Sequence, residues 1–117
     1  MRVALLFALL AACQKPTPEA PDPAVGRWRG ETGKVIELRA DHTLDMDPGV
    51  APECNNAPLA ACRARQTWKR NGDIVDLSRG IVSGPQCTCR IERIDVHLHG
   101  DELISGTEHI QRVKSAN

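Results

Sequence analysis

Cysteine and histidine carry the chemistry this chain can attempt. Cys87 and Cys89 stand two apart, as do His97 and His99, with Cys54 and Cys62 upstream. Residues two apart on a strand project from one face, so each pair sets two like groups side by side. Thiolate with imidazole suits zinc or Cu(I), which makes His97, His99, Cys87 and Cys89 one alternative set of metal ligands. Oxidation is the other chemistry. Cys87 and Cys89 on one strand face are poorly placed to bond to each other, so Cys54 and Cys62 each reach across to one of them, in either order. Each such bridge contributes about 2–4 kcal/mol and would fasten the proline-rich stretch Pro48 to Ala61 onto a strand. His42 and His109 are isolated and read as turn or surface residues. Ser78, Ser83 and Ser105 lie in no nucleophile-elbow pattern, and no phosphate-binding glycine loop or His-Glu-X-X-His occurs. Asp45 with Asp47, and Asp101 with Glu102, read as solvated charge. The residues point to neither an enzyme nor a bound cofactor.

Compartment decides between the two cysteine chemistries. Met1-Arg2 forms a minimal positive start, Val3 to Leu10 an apolar run, and Ala11-Ala12 the small residues before Cys13. The apolar run has about eight residues against the roughly 20 needed to span a bilayer, so it reads as an export signal. Leu10-Ala11-Ala12-Cys13 resembles the lipobox of bacterial lipoproteins. That resemblance implies that residues 1–12 are removed and that Cys13 is lipidated. The three acyl chains typical of such proteins hold a membrane where one would not. Gln14 is not the aspartate that retains lipoproteins at the inner membrane in some enteric bacteria, which favours the outer membrane, facing the periplasm. Residues 13–24 then form a tether, with Pro16, Pro18, Pro21 and Pro23 keeping it extended. At about 3.1 Å per residue it reaches on the order of 30 Å. In an oxidising envelope, four cysteines left after Cys13 favour two disulfides.

One small domain remains, residues 25–117, with a core that is marginal without cross-links. The whole chain has a formal net charge of +0, so no basic field exists to attract nucleic acid. Phe7 leaves with the signal, and the mature core has Trp28 and Trp68 as its aromatic residues. Ring-lined ligand pockets and base-stacking platforms are excluded by that shortage.

Short alternating runs between turn residues predict an all-β domain. Strands are expected at Val25 to Glu31, Lys34 to Ala40 and Thr43 to Asp47, the last two joined by a turn at Asp41-His42. The stretch Asp47 to Ala61 reads as a loop, with a helical turn possible at Leu59 to Ala61. Arg63 to Arg70 and Asp73 to Ser78 pair through Asn71-Gly72, the strongest hairpin signal present. Arg79 to Gln86 reads as a loop around a short strand at Ile81-Val82. Cys87 to His99 is the longest run, and its apolar phase changes near Glu92-Arg93, which predicts a bulge. Glu102 to Ser105 and Thr107 to Lys114 complete a small antiparallel barrel or sandwich of about seven to eight strands, stapled by disulfides.

Gly26-Arg27-Trp28 at the domain entrance resembles the Gly-X-Trp motif of lipocalin-like (calycin) barrels. The resemblance implies that Trp28 closes one barrel end and that a basic residue near the last strand, here Arg112, packs across it. The turn at Asp41-His42-Thr43 is similar to one in small bacterial lipoproteins that is often Asp-Gly-Thr, with His42 in the glycine's place. A barrel this short has a lumen largely filled by side chains. The expected function is that of a cell-envelope lipoprotein, a non-enzymatic binding or interaction module for an envelope protein or small ligand. One alternative is a periplasmic copper- or zinc-binding protein. Another is a protease inhibitor with a calycin-like barrel, although inhibitors of that kind insert a free N-terminus that lipid on Cys13 would block.

Overall fold

The computed structural model describes residues 21–114. Cys13, the signal segment and most of the tether lie outside the described residues. Nine strands form one curled sheet. They are β1 (Gly26–Arg29), β2 (Val35–Leu38), β3 (Leu44–Asp45), β4 (Gly49–Val50), β5 (Thr67–Asn71), β6 (Ile74–Ser83), β7 (Thr88–His99), β8 (Glu102–Ser105) and β9 (Glu108–Arg112). A 3-10 turn, Pro52–Cys54, and a short helix α1 (Ala60–Ala64) lie between β4 and β5.

Sequence neighbours pair antiparallel through β1-β2-β3 and β5-β6-β7-β8-β9, and β9 returns to pair with β1. The sheet curls until its two ends meet at a single antiparallel bridge, Thr43 with Thr67. The result is a curled half-barrel. Asn71-Gly72 does make the hairpin. Asn71 faces Ile74, and Gly72, at φ 63°, takes the first turn position that glycine favours. His42 occupies its turn at φ 70°, a conformation that most non-glycine residues avoid. Its ring packs 4.7 Å from that of Trp68, and Asp41 accepts hydrogen bonds from the Thr43 N–H and hydroxyl. Those local contacts hold the turn that a glycine would otherwise make.

Alternation puts Trp28, Ile36, Leu38, Leu44, Val75, Leu77, Val96, Leu98 and Leu103 on the inner face, and all are buried. With Trp68 and Met46 they form the main core. Ala40, expected as the last residue of the second strand, is exposed beyond the end of β2.

Four expectations need correction. No bulge occurs near Glu92-Arg93: β6 and β7 pair without interruption from Ile74–His97 to Ser83–Thr88. The phase change has another cause. The ribbon buries Val75, Leu77 and Val96 on one face at one end, and Val82 on the opposite face at the other, against Cys54 and Cys62. Arg79 to Ser83 is accordingly a continuation of β6 and not a loop. The proline-rich stretch is also more ordered than a loop. Gly49 and Val50 pair parallel with Ile81 and Val82, the sheet's one parallel contact among the described residues. Residues 63–66, expected as strand, belong instead to α1 and its C-terminal turn.

Candidate functional site

Three features of the barrel concern function: a sealed end, a disulfide latch and an open mouth. The sealed end starts from Trp28 on β1, completely buried, whose indole N–H donates to the Ala24 carbonyl at 3.0 Å. Register sets Trp28 opposite Arg112 on β9. The Arg112 guanidinium stacks 4.2 Å from the indole centre and donates to the carbonyls of Val25, at 2.9 Å, and Pro23, and to Asp101, also at 2.9 Å. Gly26 is at φ 143°, and a Cβ there would stand 2.9 Å from an Arg112 nitrogen. Gly26, Trp28 and Arg112 therefore form one cluster. A cation over an indole face, with each of its three nitrogens donating a hydrogen bond, fixes the entry of the chain into the barrel.

The latch pairs Cys54 with Cys87 and Cys62 with Cys89. Cys54 and Cys62 each reach one member of the Cys-X-Cys pair, as expected. Cys87 itself sits in the turn before β7, at φ 51°, and only Cys89 lies on the strand. The bridges clamp the 3-10 turn and α1 over the outer face of the β6–β7 ribbon. Close approach requires Gly80 beneath them, where a Cβ would lie 2.4 Å from Cys62 Sγ. Gln66, 1% exposed, is the polar counterpart of this latch. Its amide donates to the Met46 carbonyl at 2.8 Å, and its oxygen accepts the Gly80 N–H at 3.0 Å. Arg63 on α1 adds ion pairs to Asp45 at 3.2 Å and Asp47 at 2.9 Å.

The alternative metal ligands are not assembled. Both sulfurs of Cys87 and Cys89 are consumed by disulfides. His97 and His99 lie eight or more residues further along the chain from Cys89, roughly 26 Å at 3.3 Å per residue. Among the described residues no group of three or more His, Cys, Asp or Glu is placed to hold a metal ion. His99 instead faces Glu102 on β8, and Glu102 accepts from His109 Nδ1 at 2.9 Å.

A recess opens beside the β1–β2 turn, between Gly30 and Lys34. There a hollow of about 170 Å3 is lined by Ile36, Met46, Leu77, Ile94, Val96 and Ile110. Lys34, Arg79 and Glu108 stand at its rim. No protein-family model, curated protein or solved structure matches this chain. The geometry alone must therefore speak for the site. Comparable apolar cavities take a guest the size of benzene, whereas sites for larger ligands run to roughly 300–1,000 Å3. The mouth accordingly suits one aliphatic or phenyl group. A larger cleft of about 330 Å3 lies outside the wall between Arg27, Glu37, Asp45, Asp47 and Arg63. Its carboxylates Asp45 and Asp47 are already bound by Arg63, so it offers little to a ligand.

Sequence reasoning missed Gln66, Ile94 and Ile110 as site residues. Nothing in their local pattern separates a side chain that lines a hollow from one that fills a core.

Proposed function

We propose that this chain is a bacterial cell-envelope lipoprotein, anchored through lipid on Cys13, whose calycin-like barrel acts as a non-enzymatic binding or interaction module. The observation that carries the reading is the inequality of the two barrel ends. One is plugged by Trp28 under Arg112, and the other leaves an apolar hollow ringed by Lys34, Arg79 and Glu108. An apolar guest in this mouth would gain the dispersion contacts that its lining now lacks. The disulfides further support an oxidising compartment such as the periplasm.

Two measurements test the two halves of the proposal. Labelled fatty acid enters the wild type and fails to enter Cys13→Ser, and equal labelling overturns the anchor. Ile110→Glu places a carboxylate in the mouth at a half-buried position. A partner captured from detergent-solubilised envelopes by the wild type is lost with this variant. Equal capture by both overturns the mouth as the binding site.

A further inference from the structure

The β6–β7 ribbon is longer than the sheet beside it. β6 pairs with β7 through Thr88, whereas β8 covers β7 only at His97, Leu98 and His99. From Thr88 to Val96, therefore, β7 has no strand on its second side. The hydrogen-bond phase along this edge follows from one contact. Leu98 N–H donates to the Asp73 carbonyl at 2.7 Å, directly across the ribbon. In an antiparallel pair the residues facing each other alternate between bonding across and turning both groups outward. Val96, Ile94, Glu92 and Arg90 thus bond to β6, and Asp95, Arg93, Ile91 and Cys89 turn N–H and C=O away from it. Independent contacts agree with this phase. The Cys89 carbonyl accepts from Arg65 at 3.3 Å, and the Gly80 N–H, opposite Ile91, reaches away from β7 to Gln66. Among the described residues nothing takes up the outward groups of Ile91, Arg93 and Asp95.

This edge borders the mouth. Ile94, between two of the outward-turned residues, lines the hollow with Leu77 and Ile110. A strand added along β7 would place the residue opposite Ile94 on the same face, pointing toward that hollow. The rim adds charge. Lys34 and Arg79 make no ion pair with a carboxylate among the described residues, while Arg79 spends one donor on the Asp47 carbonyl. Two cations against the single Glu108 favour a carboxylate beside the apolar group.

We infer that the open edge of β7 at Ile91, Arg93 and Asp95 is a docking site for an extended peptide, which adds as a strand and inserts one apolar side chain, flanked by acidic residues, into the mouth. Only a strand offers donors and acceptors at the alternating spacing that the edge presents. The proposal rests on the reading of this domain as a binding module and names the partner's chemistry.

The probe is a hexapeptide with blocked ends, Glu-Thr-Leu-Thr-Glu-Thr, titrated to millimolar concentration into the oxidised domain and followed by NMR. Binding shifts the amides of Ile91, Arg93 and Asp95 together with the methyls of Ile94 and Ile110. N-methylation of the two threonines that flank leucine weakens it by about tenfold or more, as does Asp95→Pro. That proline removes an outward N–H and no bond of the β6 ladder, so the variant keeps its fold. Hexanoate, a small apolar carboxylate, is the parallel probe of the mouth alone. Mouth shifts with hexanoate and no edge shifts with peptide overturn the inference and leave the binding-module reading standing. Silence from both probes counts against both. Equal affinity of the N-methylated peptide overturns the inference, as do edge shifts that depend on protein concentration without peptide, since those assign the edge to a second copy.

Discussion

Arg112 sits over Trp28, its guanidinium carbon 4.2 Å from the ring centre, and its three donating nitrogens reach two backbone carbonyls and Asp101. Arg112→Ala removes the stacking and leaves the carbonyls of Pro23 and Val25 without this donor. A loss of about 2–3 kcal/mol in urea unfolding is the expected outcome. Arg112→Lys keeps the charge without the planar fork and should fall between the two. Gly26→Ala, which meets both the positive φ and the nearby guanidinium, should cost about 1–3 kcal/mol as well. Wild-type stability in either of the alanine variants would refute the role given to this cluster.

The disulfide latch should be separable from the barrel. Mass measurement after alkylation of the oxidised protein finds no reactive thiol among Cys54, Cys62, Cys87 and Cys89, because all four are paired. Replacing Cys62 and Cys89 together by serine lowers stability by about 2–4 kcal/mol. Hydrogen exchange should accelerate first in β4 and α1, while the amides around Val75, Val96 and Leu103 stay protected. Uniform loss of protection would show that latch and barrel are one cooperative unit.

Gln66 uses both ends of its amide in the interior. Gln66→Glu retains an acceptor for Gly80 and loses the donor to Met46, leaving a carboxylate in a fully enclosed position. Burial raises the folded pKa of such a carboxyl above its unfolded value, so its stability deficit grows as pH rises and shrinks as pH falls. A deficit of about 2–4 kcal/mol near neutrality is expected. A deficit that does not change with pH would contradict it.

His109 and Glu102 titrate against each other on the outer face. The hydrogen bond to Glu102, followed by the charges of Glu102 and Glu31, raises the imidazole above its ordinary 6.5. Hydrogen bonds from His109 first, then Gln111, lower the Glu102 carboxyl below its ordinary 4.5. The histidine's share of stability is complete below 6.5 and disappears as pH rises through the raised value. The glutamate's share is complete above 4.5 and disappears as pH falls through the lowered value. The difference in Tm between wild type and His109→Gln should therefore peak at about pH 5–6 and decline on both sides. Added salt should shrink it, since His109 is exposed and Glu102 only half-buried.

Much of this architecture could be read from local patterns. Short alternating runs predict a strand at Glu102 to Ser105, and β8 has those bounds. The spacing of Cys87 and Cys89 limited the bridges to two arrangements, and the structure holds one of them. The misreadings share a cause. The phase change in β7 imitates a bulge because alternation reports which side chain is buried and not which face of the sheet buries it. A strand that packs against a barrel at one end and against α1 at the other must change phase without any irregularity in its backbone. β4 escaped notice because two residues have no period, and its partner at Ile81 lies some thirty positions away. The mouth was equally hidden. Both indoles pack toward the sealed half of the barrel, and no local rule says which end large side chains leave unfilled.

Strand direction bears on how such a domain would be displayed if held by its N-terminal segment. β1 runs from Gly26 beside the sealed end toward Gly30 at the mouth, and β9 returns from Glu108 at the rim to Arg112 at the seal. The chain therefore enters and leaves on the same side, under Trp28, with Asp22 pinned to Arg70 at 2.9 Å there. A barrel held by its N-terminal segment hangs by its plugged base, like a cup fixed to a wall by its foot. In the lipid-anchored form proposed above, the hollow and the bare edge of β7 would lie away from the point of attachment.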